Sequence, residues 1–170
     1  MKENITIRSN DNGSCIMLRS AKMKDSEKLR RWKNKNSKYF FHKNIIKKAQ
    51  QIKWMKDYFS DKNNFMFIIK YKNTEIGCIG FRKRSDGADI YNVILAHNGL
   101  ARKGLMTEAL NLLFGFIKIR FKNIGKVYVK VLKSNKVAVL WYKKNCFKKT
   151  GNFKDAHFMV WQGCTCAKRS

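Results

Sequence analysis

The chain has 170 residues, no proline and five cysteines, and its 38 Lys and Arg against 11 Asp and Glu give a formal net charge of +27. That length fits one ordinary domain able to bury a core without staples, and 44% apolar with 13% aromatic residues excludes a disordered basic tail. The best apolar stretches, Phe65–Ile69 and Ala109–Ile117, fall short of the ~18 residues of a membrane span, and Met1–Ser20 lacks the apolar run of a signal peptide, so the cytosol is the default address.

Residues 1–14 are polar and read as a loose lead-in or an edge strand, and 163–170 as a polar tail, which leaves 15–162 as the folded domain. Cys15–Leu18 reads as a first strand. Lys24–Asn34 has helical composition, with Asp25 or Ser26 as its side-chain cap and Leu29 and Trp32 on one face. After the aromatic cluster Tyr39, Phe40, Phe41, His42, a second amphipathic helix is spelled by Ile45, Ala49, Ile52, Met55 and Phe59. The period then changes: Asn64–Tyr71 and Glu75–Arg82 are rich in strand formers around a short polar turn, which predicts a hairpin. Asp89–Leu95 (DIYNVIL) is a third strand of this block, and its near-continuous apolarity places it centrally.

The polar loop Ala96–Gly104 opens into a long helix whose stripe is Met106, Leu110, Leu113, Ile117 and Phe121. Lys126–Leu132 alternates as a strand, Ser134 caps a helix from Asn135 to Asn145, and Phe147–Phe153 with Ala156–Trp161 close the fold as an antiparallel pair. The order predicts a single α/β (α+β) domain, a central mixed sheet flanked by about four helices. Trp32, Trp54 and the 39–42 cluster read as core residues, His97 and His157 as surface or packing residues, and the five cysteines, odd in number and without a C-x-x-C pair, as ordinary reduced thiols.

Charge asks for an explanation, because small soluble domains usually carry a net charge of magnitude ~2–8. One explanation is compositional, since Lys, Asn, Ile and Phe abound together; the other is a surface for a polyanion, whether nucleic acid, nucleotide cofactor or anionic membrane. The junction Ala101-Arg102-Lys103-Gly104-Leu105-Met106-Thr107 leads from a buried strand into a helix N-terminus. Unpaired backbone N–H groups and a partial positive charge there suit a phosphate. Gly104 permits close backbone approach, and Arg102 and Lys103 add full charges. Further on, Asn135 and Tyr142 lie seven apart, two helical turns, on one face. An amide and a phenol along one groove suit an extended ligand, or else Asn135 assists a cap and Tyr142 packs in the core.

With these residues in place the chain resembles the GNAT superfamily of N-acetyltransferases from about Cys15 to Trp161. The pattern V-x-x-x-N-x-x-A-x-x-x-Y-x-x-x-x-F is complete at Val131, Asn135, Ala138, Tyr142 and Phe147. The pyrophosphate loop Q/R-x-x-G-x-G/A is degenerate: its first position falls on Ala101, its glycine on Gly104 and its last position on the bulky Met106, and Cys146 stands where Gly commonly precedes Phe. The stretches Leu18-Arg19, Leu29–Asn34, Ile52–Trp54 and Phe67–Ile69 are similar to the branch of ribosomal-protein N-terminal acetyltransferases and of enzymes acting on nucleotide-linked amino sugars.

The resemblance implies acetyl-CoA in a wedge between the strands Asp89–Leu95 and Lys126–Leu132. Backbone groups of Ile94, Leu95 and Ala96 would pair with the pantetheine arm, Asn135 would bond it from the other side, and the amides of Arg102, Lys103, Gly104, Leu105, Met106 and Thr107 would hold the pyrophosphate. Tyr142 is the implied acid and Asp89 the first candidate base, with Glu75 and His42 weaker ones, while Lys130 stands where some relatives carry Glu. Phe40, Phe41 and His42 would border the acceptor, expected to be a nucleotide-linked amino sugar or a protein N-terminus. The charge keeps two alternatives open: a nucleic-acid-binding protein on this scaffold, or an acetyltransferase acting on aminoacyl-tRNA.

Overall fold

A computed structural model describes residues 3–8 and 15–163. Its strands are β1 (Thr6–Arg8), β2 (Ile16–Ser20), β3 (Asn64–Tyr71), β4 (Thr74–Arg84), β5 (Gly87–Leu95), β6 (Val127–Leu132), β7 (Phe147–Phe153) and β8 (Ala156–Trp161). The helices are α1 (Ser26–Lys35), α2 (Lys48–Ser60), α3 (Leu105–Arg120) and α4 (Lys136–Lys144). Among the described residues the strands form one sheet in the order β1-β2-β3-β4-β5-β6-β8-β7. Every neighbouring pair is antiparallel except β5 and β6, which are parallel and joined through α3. The mixed sheet with four helices is the architecture expected from the sequence.

Two apolar layers hold the sheet. On one face Phe67, Ile79, Phe81, Ile90 and Val129 pack against Leu110, Leu113 and Ile117 of α3, with Tyr142 of α4 in the same cluster. On the other, Met66, Ile68, Cys78 and Ile94 meet Leu29 of α1 with Met55 and Tyr58 of α2, and Trp32 and Trp54 pack at its margin. No helix among the described residues is long and apolar enough to cross a membrane.

Helix starts differ in detail from the sequence reading. Asp25 stands at the N-cap of α1 but makes no side-chain cap bond there; it ends a 3-10 turn, Met23–Asp25, and its carboxylate faces backwards to accept from the Lys22 amide at 2.8 Å. Lys47 with Gln50 starts α2, and Ile45 lies outside the helix, exposed, because the Lys47 amide is satisfied by Gln50 Oε1 at 2.8 Å. The stripe position Phe121 falls just past α3 as its C-cap. Cys15 and Cys78 are free thiols, but Cys146 is disulfide-bonded, which corrects the reading of it as a reduced thiol. The tail cysteines Cys164 and Cys166 lie outside the described residues.

The polar centre of the α1–β2–β4 joint is Arg19. Its guanidinium donates to both carboxylate oxygens of Asp25 at 2.7 Å and, through Nε, to Glu75 Oε1 at 3.1 Å; Lys28 joins Glu75 as well. Burial pushes the Asp25 carboxyl up, but the Arg19 and Lys22 hydrogen bonds outweigh it and hold Asp25 below its ordinary value; Glu75 is lowered in the same way by Lys28 and Arg19. Lowered carboxylates stabilise the fold fully above the ordinary range near pH ~4 and lose that contribution as pH falls toward their folded values. Urea titrations are therefore expected to show lower stability at pH 3 than at pH 7, with a smaller pH dependence in Asp25→Asn. Arg19→Met leaves the carboxylate of Asp25 buried without its main partner and should cost about 3–5 kcal/mol at pH 7.

Candidate active site

Strand β5 stays with β4 to its end but leaves β6 early. The parallel ladder comprises Ala88 with Val127, Asp89 with Tyr128 and Ile90 with Val129, and stops there. On the β4 side the register steps from Gly80–Tyr91 to Cys78–Ile94, so β5 carries an extra residue in a bulge whose Asn92 has φ +49°. Asparagine enters the left-handed region more readily than its apolar neighbours would, and a bulge bends its strand. Gly77 lets the bent strand approach, since a Cβ there would fall on the Ile94 carbonyl oxygen. The diverging strands open a cleft of about 520 Å³, a size suited to a small-molecule site, lined by β5, β6, α4 and the α1–α2 connection.

At one end of the system stands the N-terminus of α3. Gly104 adopts φ +76° as its N-cap, and the amides of Thr107 and Glu108 both return to the Gly104 carbonyl, at 2.9 and 3.0 Å. The amides of Leu105 and Met106 precede the first helical bond and face out of the helix end. Arg102 (φ +64°) and Lys103 are exposed beside them. The bulk of Met106 does not obstruct this end, because its side chain is half-buried and packs on the main core. Trp141 Nε1 donates to Thr107 Oγ1 at 3.1 Å, tying α4 to this turn.

The wall opposite β5 is α4. Asn135, not Ser134, is its cap: Asn135 Oδ1 accepts from the Ala138 amide at 3.2 Å, leaving Nδ2 as a donor at the cleft. On β5 the Ala96 amide is spent on the Ile76 carbonyl at 2.7 Å, and Ile94 turns its carbonyl toward Gly77. Alternation along a strand then turns the N–H and C=O of Leu95 to the open side. Ile94 and Leu95 line the cleft and Ala96 does not.

Tyr142 and Asp89 stand on opposite walls of the cleft. Tyr142 is buried, edge-on to Phe147 at 5.1 Å, and burial together with the Asp89 charge raises its phenol well above its ordinary value. Burial also raises Asp89, against the opposing pull of Arg82, Lys130 and Arg84; Arg82 Nη1 lies 3.7 Å from its Oδ2. The 39–42 cluster is not core, since Tyr39, Phe41 and His42 are exposed; Phe40, Phe41 and His42 line the same cleft in the α1–α2 connection, which is pinned to α1 by paired Asn34–Ile46 hydrogen bonds of 2.9 and 3.1 Å. Glu75 is engaged by Arg19 and Lys28 and lies outside the cleft, and His97 is exposed in the loop before α3.

Lining residues the sequence reading passed over are Lys33, Tyr39, Arg82, Arg84, Tyr91 and Trp141. The alternation Arg82, Arg84 at the end of β4 was the available signal for two of them, since i and i+2 on a strand share a face. Asn92, the one polar residue amid YNVIL, was the signal for the bulge.

The model of the acetyltransferase (GNAT) domain matches residues 16–148. The chain belongs to the GNAT acetyltransferase family. It is thus an N-acetyltransferase with acetyl-CoA as cosubstrate, and the parted strands, the outward amides of α3 and the Asn135 donor fit a narrow thioester carrying a diphosphate at one end. In fold this GNAT domain is similar to apo FdhC, described as a nucleotide-linked sugar GNAT (TM-score 0.76, 16% identity, 94% of this chain and 90% of that one). It is similar also to RimL, a ribosomal L7/L12 alpha-N-protein acetyltransferase (0.71, 15%, 91% and 93%). A third similar fold is the spermidine N-acetyltransferase of Vibrio cholerae in complex with CoA and spermine (0.70, 17%, 86% and 93%). No curated protein is similar enough in sequence to count as a match.

Because Asn135 works as cap through its oxygen, its two atoms separate in variants. Asn135→Ala should lower stability by about 1 kcal/mol, while Asn135→Asp, which keeps the acceptor, should stay within a few tenths of wild type, both read by urea denaturation.

Proposed function

We propose that this GNAT domain transfers the acetyl group of acetyl-CoA to a primary amine by direct attack, with a nucleotide-linked amino sugar or a protein N-terminus as acceptor. The observation that carries the reading is the parting of β5 from β6 with Tyr142 and Asp89 on its facing walls. Bound acetyl-CoA supplies the activated acyl group as a thioester. Leu95 offers its backbone and Asn135 its Nδ2 to the arm of the cosubstrate, and the amides from Arg102 to Met106, with Gly104 leaving the approach open, receive its diphosphate; the Thr107 amide, expected to share in this, is spent on the Gly104 carbonyl.

Asp89 takes the proton released as the amine bonds to the acyl carbon, directly or through water, and Tyr142 donates its phenolic proton to sulfur as the C–S bond breaks. Raised by burial, Tyr142 stays protonated at neutral pH and is available as an acid; raised by burial, Asp89 is a stronger base than an exposed aspartate. Phe40, Phe41 and His42 border the acceptor.

Thermal melts test the cosubstrate site: at ~100-fold excess over Kd, acetyl-CoA should add roughly 2.7 kcal/mol, and less in Asn135→Asp, whose cap is intact. Tyr142→Phe should lower kcat by roughly 10²-fold while that thermal shift persists. The pH profile of kcat/KM should fall on the acid side with an apparent pKa above the ordinary aspartate value, and Asp89→Asn should remove that limb. Unaltered turnover in Tyr142→Phe, or an unaltered limb in Asp89→Asn, removes the corresponding residue from its role.

A further inference from the structure

The acceptor half of the cleft is basic, and the cause lies in strand register. Arg82 sits directly opposite Asp89 in the β4–β5 ladder, and Asp89 directly beside Tyr128 in the β5–β6 ladder. Alternation then puts Arg82, Arg84, Asp89, Tyr91 and Lys130 on one face of the sheet, the face that α1 and α2 cover. All five line the cleft, and Lys33 reaches it from α1. The lone carboxylate in this lining is Asp89, shared among Arg82, Arg84 and Lys130, all of which lower its pKa against burial. Asp86 also acts on Asp89, but it stands outside the lining and is engaged by Lys126 at 3.0 Å and by the Tyr128 hydroxyl at 3.1 Å. The Arg82 guanidinium lies over the Tyr91 ring, 3.9 Å from its centroid, and the exposed rings of Tyr39 and Phe41 line the same cleft from the α1–α2 connection.

A cavity with four cations around one carboxylate repels polycationic amines and is unsatisfied by a neutral one. Resting on the acetyltransferase reading above, we propose that the acceptor is a small amine carrying a phosphate or diphosphate group, and that Arg82, Arg84 and Lys130 form the clamp that receives that group. The clamp turns the amine toward Asp89 and excludes polyamines. A guanidinium preset by a ring matches phosphate oxygens with little loss of freedom. Exposed rings in the same lining suit a nucleobase, so the anion is that of a sugar phosphate or of a nucleotide-linked sugar.

Calorimetric titration of the CoA-saturated protein at ~0.15 M salt, where remote lysines are screened, tests this with inorganic diphosphate, UDP and spermidine. Saturating CoA first fills the cosubstrate's own phosphate sites. Diphosphate and UDP should bind and spermidine should not. Arg84→Glu and Lys130→Glu should each weaken diphosphate about tenfold, whereas Lys118→Glu on α3, across the sheet, should leave it unchanged. UDP binding tighter than diphosphate, with the gain lost in Phe41→Ala, supports a nucleotide-linked sugar; equal binding supports a sugar phosphate. Spermidine binding as tightly as diphosphate, or diphosphate affinity indifferent to Arg84→Glu and Lys130→Glu, overturns the clamp. A CoA-induced thermal shift in the same samples separates the two failures: its presence with a failed clamp leaves the acetyltransferase reading standing, and its absence removes that reading, whereupon diphosphate titrated into the free protein and the two variants decides the clamp by the same criterion.

Discussion

The cleft of this domain depends on a failure of pairing. Two parallel strands, β5 and β6, are held together for three residue pairs and then part, because β5 is committed to β4 along its whole length and bends with it at Asn92. A fully paired sheet would have buried the backbone of Leu95 in a ladder and closed the passage between Asp89 and Tyr142. Buried backbone groups require partners, so parted strands at the centre of a sheet invite an extended ligand to supply them. The remaining elements keep the gap in shape: Trp141 fastens α4 to the first turn of α3, and the Asn135 cap starts α4 at the rim.

Charge in this protein is best understood through its carboxylates rather than its lysines. Acids are scarce, and several are committed to structure: Asp25 and Glu75 to Arg19 and Lys28, Glu27 to Arg30 and Arg31, Asp86 to Lys126. Asp89 is the one that lines the cleft, and its burial among cations gives it two opposed pressures, one toward the proton and one away. That balance suits a base, and it also sets the character of the cavity, since the surplus of cations around it is what an incoming ligand meets first.

The fold was legible in the sequence to a useful degree. The run of strand formers in 64–71, buried on both faces, the alternation in 126–132 and the period-3.6 stripes in 48–60 and 105–120 are local properties of the chain, so element types could be read directly. Caps were less legible. Ser134 and Asn135 are adjacent and chemically equivalent as caps, and backbone angles choose between them; Asp25 looks like a cap in sequence but is captured by Arg19, a partner on another strand. The disulfide at Cys146 was illegible for a related reason, since spacing along the chain says nothing about which thiols meet. Of the cleft lining, Asn135 and Tyr142 stand out in the sequence because they share one contiguous motif, while Arg82, Arg84 and Tyr91 do not, because their common face follows from the register of neighbouring strands.

By itself the sequence determined the succession of strands and helices, the basic character of the chain and the spacing of amide and phenol along α4, all of which follow from short-range periodicity and composition. Tertiary structure alone decided that Met106 turns into the core instead of blocking the α3 terminus and that Ala96 spends its amide on β4. It also decided that Lys33, Arg82, Arg84 and Lys130 line one cleft with a single carboxylate, Asp89. These are questions of which residue faces which across a ladder or a helix contact, and a one-residue shift in register would reverse each answer.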